Sequence, residues 1–171
     1  MKKILALCIA LLLVFSLSAC GGDNDGDNDN GADNSGAATA SEYTFTYNGV
    51  EIKVGADAKP ILSKLGNPEG EVGEACGTDE KDVIYSLSGV ELETHVKGDD
   101  EVVRQIKIIN DSKSTDKGIT VGSSKDEVIK AYGKSYKEGS TGALRYEGTS
   151  SAIEFHFSSS GNVSSIYIKK K

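Results

Sequence analysis

Tryptophan is absent from this 171-residue chain, and aromatic residues make up only 6% of it. A broad aromatic platform for stacked ligands or bases therefore has little to be built from. Positive charge is not in excess either: 19 Lys+Arg stand against 26 Asp+Glu, for a net charge of −7. That balance argues against a nucleic-acid partner, which requires a basic face. Two prolines against 20 glycines suit hairpins and tight turns. There is no Gly-rich phosphate loop with its Lys, no nucleophile elbow and no Cys/His pair close in sequence. Ser158, Ser159 and Ser160 read as turn formers rather than nucleophiles. The chain reads as a non-enzyme without a cofactor.

Cysteine is scarce too: Cys8, Cys20 and Cys76 are the whole supply. Lys2 and Lys3 precede an apolar run over residues 4–17, which is short for a membrane span and reads as a secretory signal. Leu17-Ser18-Ala19-Cys20 resembles a bacterial lipoprotein lipobox. The resemblance implies cleavage after residue 19, acylation of Cys20 by diacylglyceryl (palmitate-type) chains, and a chain held on the extracytoplasmic side of the cell membrane. Each buried CH₂ contributes roughly 0.8 kcal/mol to such an anchor, so two or three acyl chains hold stably in the bilayer. An ordinary secreted protein with a chance cysteine is the alternative. Cleavage also removes Cys8. Cys76 is then alone, without an internal disulfide partner, and its charged neighbours Glu74 and Asp79 are no reason for a reactive thiolate.

Residues 20–41 carry Asp23, Asp25, Asp27, Asp29 and Asp33 among Gly and Asn, with no apolar periodicity. An EF-hand reading fails, because Asn30 stands where the loop needs Gly and Gly36 where it needs Glu. A solvated tether spanning roughly 25 Å fits better.

Residues 42–171 read as one domain of two tandem repeats, about 43–112 and 115–171. Leu92-Glu93-Thr94-His95-Val96 lies over Ile153-Glu154-Phe155-His156-Phe157, so both histidines fall on equivalent positions. Gly55, Ile61, Leu62, Leu65 and Gly66 likewise match Gly122, Val128, Ile129, Tyr132 and Gly133. Asp57 and Ser124 are the N-caps of two short helices, Ser124 with Glu127 as a capping box. Each helix leads through a Gly-rich loop to a strand holding Tyr85 or Tyr146 and then a hairpin. The loop of the first copy, residues 67–82, is the longer. The spacing of Val103, Ile106 and Ile108, repeated in Val163, Ile166 and Ile168, predicts a β-bulge in each copy. The expected fold class is α+β: two helix-plus-antiparallel-hairpin repeats forming one sheet, with the helices on one face.

This order, with the helix-opening stretches 54–66 and 121–133 and the two hairpins, resembles the tandem units of β-lactamase inhibitor protein. It is also similar to the single-unit SmpA/OmlA (BamE-like) lipoproteins. The resemblance implies a sheet whose uncovered face binds an envelope protein, with inhibition of a β-lactamase or penicillin-binding protein as its narrower form.

Alternation sets the candidate surface. If Ile153, Phe155 and Phe157 face the core, Glu154 and His156 face outward, and Glu93 and His95 follow the same parity. Gln105, Lys107 and Tyr167 join them from neighbouring strands. Thr94 is then a polar intrusion among core residues. The polar set reads as a solvated sheet face or as a partner-binding surface with Tyr167 as anchor. The alternative is a ligand- or metal-binding envelope lipoprotein that uses the two Glu-x-His units, which suit zinc, although alternate strand residues stand roughly 6.5–7 Å apart.

Overall fold

Period-two alternation runs through most of the chain from Tyr43 onward, and it folds as β structure. The computed structural model describes residues 42–73 and 80–171. The signal segment, Cys20, the tether and Cys76 lie outside the described residues. In chain order the elements are β1 (Thr44–Tyr47), β2 (Val50–Lys53), α1 (Ala58–Lys64), β3 (Gly70–Val72), β4 (Glu80–Leu87), β5 (Val90–Lys97) and β6 (Asp100–Ile108). Then come α2 (Lys125–Tyr132), β7 (Lys137–Glu138), β8 (Leu144–Glu147), β9 (Ser151–Phe157) and β10 (Val163–Lys170).

Asn48 and Gly49 take φ of 47° and 81°. Positive φ at both residues is the backbone of a two-residue hairpin whose twist suits the flanking strands. It closes β1 on β2 as a separate two-stranded sheet. The other eight strands form one antiparallel sheet in the order β3-β4-β5-β6-β10-β9-β8-β7. Its two central strands, β6 and β10, come from distant parts of the chain and pair through Ile108–Ile166 and Ile106–Ile168.

The α+β expectation of two helix-plus-hairpin repeats is corrected: the fold is mostly β, with ten strands and two helices among the described residues. The helices have seven and eight residues, about 10–12 Å each. The sheet is roughly 34 Å across at about 4.8 Å per strand, so two such helices cannot form its covering layer. The β1–β2 hairpin supplies Phe45, Tyr47 and Ile52 to the same apolar cluster as Ile61, Leu62 and Val128 of the helices and Leu92, Ile106, Phe155 and Ile166 of the sheet. Residues 67–82 and the stretch after α2 also contain short edge strands, β3 and β7, where the sequence reads only as loop.

The helix signals hold locally. The Asp57 side chain accepts from the Lys59 N–H, and Ser124 and Glu127 form the full capping box. Replacing Ser124 with Ala is expected to cost about 1 kcal/mol in urea unfolding, because it removes an acceptor for an otherwise unpaired N–H. An unchanged midpoint would show that packing alone holds α2. Both bulges occur where the spacing places them. Pairing shifts register beside Glu93/Thr94, opposite residues 103–105, and again between Val163 and Ser165.

Thr94 is fully buried, and its hydroxyl donates to Glu101 Oε1 at 2.7 Å. Tyr85 Oη donates to the same oxygen at 2.8 Å. Burial, with the hydrogen bond to Glu101 and its charge, pushes the Tyr85 phenol up to about 12. The polar intrusion read from sequence is therefore one arm of a hydrogen-bonded triad on the inner side of the sheet.

Candidate functional site: the outer sheet face

Because successive strand residues alternate sides, the ladder registers assign every outward residue. One row crosses seven strands as Ser86, Glu91, Lys107, Tyr167, Glu154, Arg145 and Lys137. A second row carries Ile84, Glu93, Gln105, Lys169, Ala152 and Glu147. His95 lies beside Asp82 and opposite Val102, and His156 opposite Ser165. All seven strand residues singled out in the sequence, Glu93, His95, Gln105, Lys107, Glu154, His156 and Tyr167, thus share one face.

Most of the charges on this face are paired, chiefly across strands. Lys107 Nζ lies 2.7 Å from Glu91 Oε2, which raises the Lys107 ammonium above its ordinary value. Gln105 Nε2 donates to Glu93 at 3.1 Å. Glu154 is the hub of the second half, with Lys169 Nζ at 2.7 Å, Arg145 at 2.5 Å and His156 Nε2 at 3.5 Å. Burial pushes its carboxyl up, but the hydrogen bonds from Lys169 and Arg145 and their charges outweigh it and hold the group below the usual carboxylate range. His95 stands between two carboxylates, with Asp82 at 2.8 Å from Nδ1 and Glu80 at 3.5 Å from Nε2. The His95 contact, followed by those of Arg104, lowers Asp82 despite partial burial.

Several members of this lattice escape the sequence reading: Glu80, Asp82, Glu91, Arg104, Arg145, Glu147 and Lys169. Arg145 and Glu147 were recoverable, because they alternate with buried Leu144 and Tyr146. Arg104 was not. The bulge carries it past strict alternation, and it reaches Asp82 and Glu93 across the strand.

Strand order separates the two Glu-x-His units. Glu93 and His95 are on β5, Glu154 and His156 on β9, and β6 and β10 run between. Three strand spacings are about 14 Å, too far for one shared ion. Among the described residues no group of three or more His, Cys, Asp or Glu is placed to hold a metal.

Two features single the face out as a surface. Tyr167 sits on a central strand, its ring 4.8 Å from that of His156 and 5.9 Å from Lys107 Nζ. Of the exposed large hydrophobics Val72, Ile84, Val102 and Ile109, Ile84 and Val102 point outward here by register, and Ile109 continues the outward parity of Lys107.

No family model matches the chain, and no curated protein matches it. Among the solved structures similar to it is a cysteine-rich secretory protein from Staphylococcus aureus subsp. aureus Mu50, with a TM-score of 0.50 and 13% identity over 69% of this chain and 43% of that one. Another is an extracellular protein containing a SCP domain from Bacillus anthracis str. Ames, with a TM-score of 0.40 and 10% identity over 68% and 43%. The chain spans less than half the length of either, and the likeness to the first shows a shared fold alone. The resemblance to β-lactamase inhibitor protein and to SmpA/OmlA lipoproteins is corrected accordingly. The backbone likeness runs to the first of these, the Staphylococcus aureus protein, and the short turn-and-core motifs behind that resemblance are ones that many hairpin folds need. Among the described residues no helix is long and apolar enough to cross a membrane.

Proposed function

We propose that this chain is an extracytoplasmic, lipid-anchored protein that binds another protein through the outer face of its eight-stranded sheet. The observation that carries the binding reading is the content of that face. It presents outward aliphatic residues, a central Tyr flanked by His156 and Lys107, and paired charges on both halves of the sheet. Aromatic anchors ringed by near-neutral contacts are the usual makeup of interface hot spots. The lipid anchor rests on the lipobox-like residues ending at Cys20, and an extracytoplasmic place also agrees with the secretory protein that shares its backbone likeness.

The test is cross-linking on intact cells with the full chain and with a variant carrying Ala at Glu93, His95, Glu154, His156 and Tyr167. A product formed by the wild type and lost in the variant, with the circular dichroism of the folded sheet retained at the assay temperature, supports the face. Equal capture by both would end this proposal. Replacing Cys20 with Ala is expected to move the chain from the membrane fraction and to abolish metabolic labelling with palmitate. Labelling that survives the change would refute the anchor.

A further inference from the structure

The outer face is electrically divided along its midline. On the β3–β6 side Glu71, Glu80, Asp82, Glu91, Glu93 and Asp100 outnumber Lys97, Arg104 and Lys107. On the β10–β7 side Lys137, Arg145, Lys169 and the adjoining Lys171 outnumber Glu147 and Glu154. The boundary is the β6–β10 seam, with four strands on either side.

A twofold axis along that seam, lying in the plane of the face, has a definite consequence. It places the acidic half of one copy over the basic half of another, and the reverse, while each row meets itself. β6 then faces β10 of the second copy, which sets Lys107 against Tyr167, a cation–aromatic pairing formed twice. The β3 edge with Glu71 faces the β7 edge with Lys137. This arrangement is isologous and closed, as a stable dimer requires. A face roughly 34 Å wide and about 20 Å along the strands offers near the 800 Å² per partner of a standard interface. Aligned packing of two like-twisted sheets is an ordinary geometry.

We infer that the outer sheet face pairs with the same face of a second copy of this chain, about a twofold running along the β6–β10 seam. The inference deepens the protein-binding reading of that face and rests on it, since it names the partner.

The test is sedimentation equilibrium of the full chain with two charge-swapped variants. One is Lys137→Glu with Lys171→Glu, which turns the basic half acidic. The other is Glu71→Lys with Glu80→Lys, which turns the acidic half basic. These side chains are exposed or half-exposed and none is in the core, so folding is expected to survive, and circular dichroism checks it. The wild type is expected to show a monomer–dimer equilibrium that weakens as salt rises from about 0.1 M to about 1 M, where the screening length falls from roughly 10 to 3 Å. Each variant alone is expected to dimerise at least about tenfold more weakly, a change of about 1.4 kcal/mol. An equimolar mixture of the two is expected to recover the dimer, because acid again meets base on both sides of the axis. A wild type that is monomeric at millimolar concentration would overturn the inference. So would a dimer indifferent to both swaps, or a mixture that fails to recover. If the wild type is monomeric while cross-linking on cells still depends on the face, the face binds a different protein. The twofold pairing then fails and the protein-binding reading stands. Loss of both removes both.

Discussion

Phe155→Ala is expected to lower the stability of the folded chain by about 3–5 kcal/mol. Phe155 is fully buried, and its ring centroid lies 4.9 Å from that of Tyr132 and 6.0 Å from that of Tyr146. It joins α2 to the sheet, because Tyr132 ends the helix and Tyr146 stands on β8. Its strand is pinned on both sides, with Phe155 opposite Ile166 on β10 and Leu144 on β8. The backbone ladder cannot collapse into the space that truncation leaves, so the cavity cost adds to the lost transfer energy. Against a total stability of about 5–15 kcal/mol this is a large fraction. Urea unfolding reads it as a lower midpoint with an unchanged slope. Phe157, two residues on and only partly buried, is the internal comparison, and its Ala variant should cost less. Equal losses at the two positions would show that Phe155 is not the centre of this half of the core.

Glu154→Gln is expected to cost about 2 kcal/mol near neutral pH, more than loss of a typical exposed pair, because this carboxylate is only 13% exposed and accepts from both Lys169 and Arg145. The change also alters the acid limb. The folded-state pKa of Glu154 lies below its ordinary value, so in that window the unfolded chain binds the extra proton. Stability from this group is therefore fully present above the unfolded-state pKa, near 4.3, and is lost as pH falls through the lower folded value. Asp82 and Glu80 shift in the same direction through His95, Arg104 and Lys97. The wild type should hold a plateau above about pH 5 and lose stability below it, and the Gln variant should lose less over the same interval. Parallel pH profiles for the two proteins would exclude Glu154 as a source of the acid sensitivity.

Alternation and turn chemistry are properties of local sequence, and they determined a good deal. The hairpin of β9 and β10, the caps at Asp57 and Ser124, both bulges and the outward parity of Glu93, His95, Glu154, His156 and Tyr167 follow from residues a few positions apart. Thr94 stood out as a polar residue in an apolar row, although its partners Glu101 and Tyr85 did not, because they reach it from neighbouring strands. The same local signals overstate the weight of the helices. A well-capped helix of seven or eight residues reads as strongly as a long one, yet cannot cover an eight-stranded sheet. Only the tertiary structure decided that β6 and β10 meet at the centre, since residues roughly 60 positions apart are brought together by burial of Ile106, Ile108, Ile166 and Ile168 rather than by any turn. That one pairing separates the two Glu-x-His units, carries Lys107 to Tyr167, and sets an acidic half-sheet beside a basic one. Charge on each strand can be read from the chain, but its neighbours across the sheet are set by which apolar faces find each other.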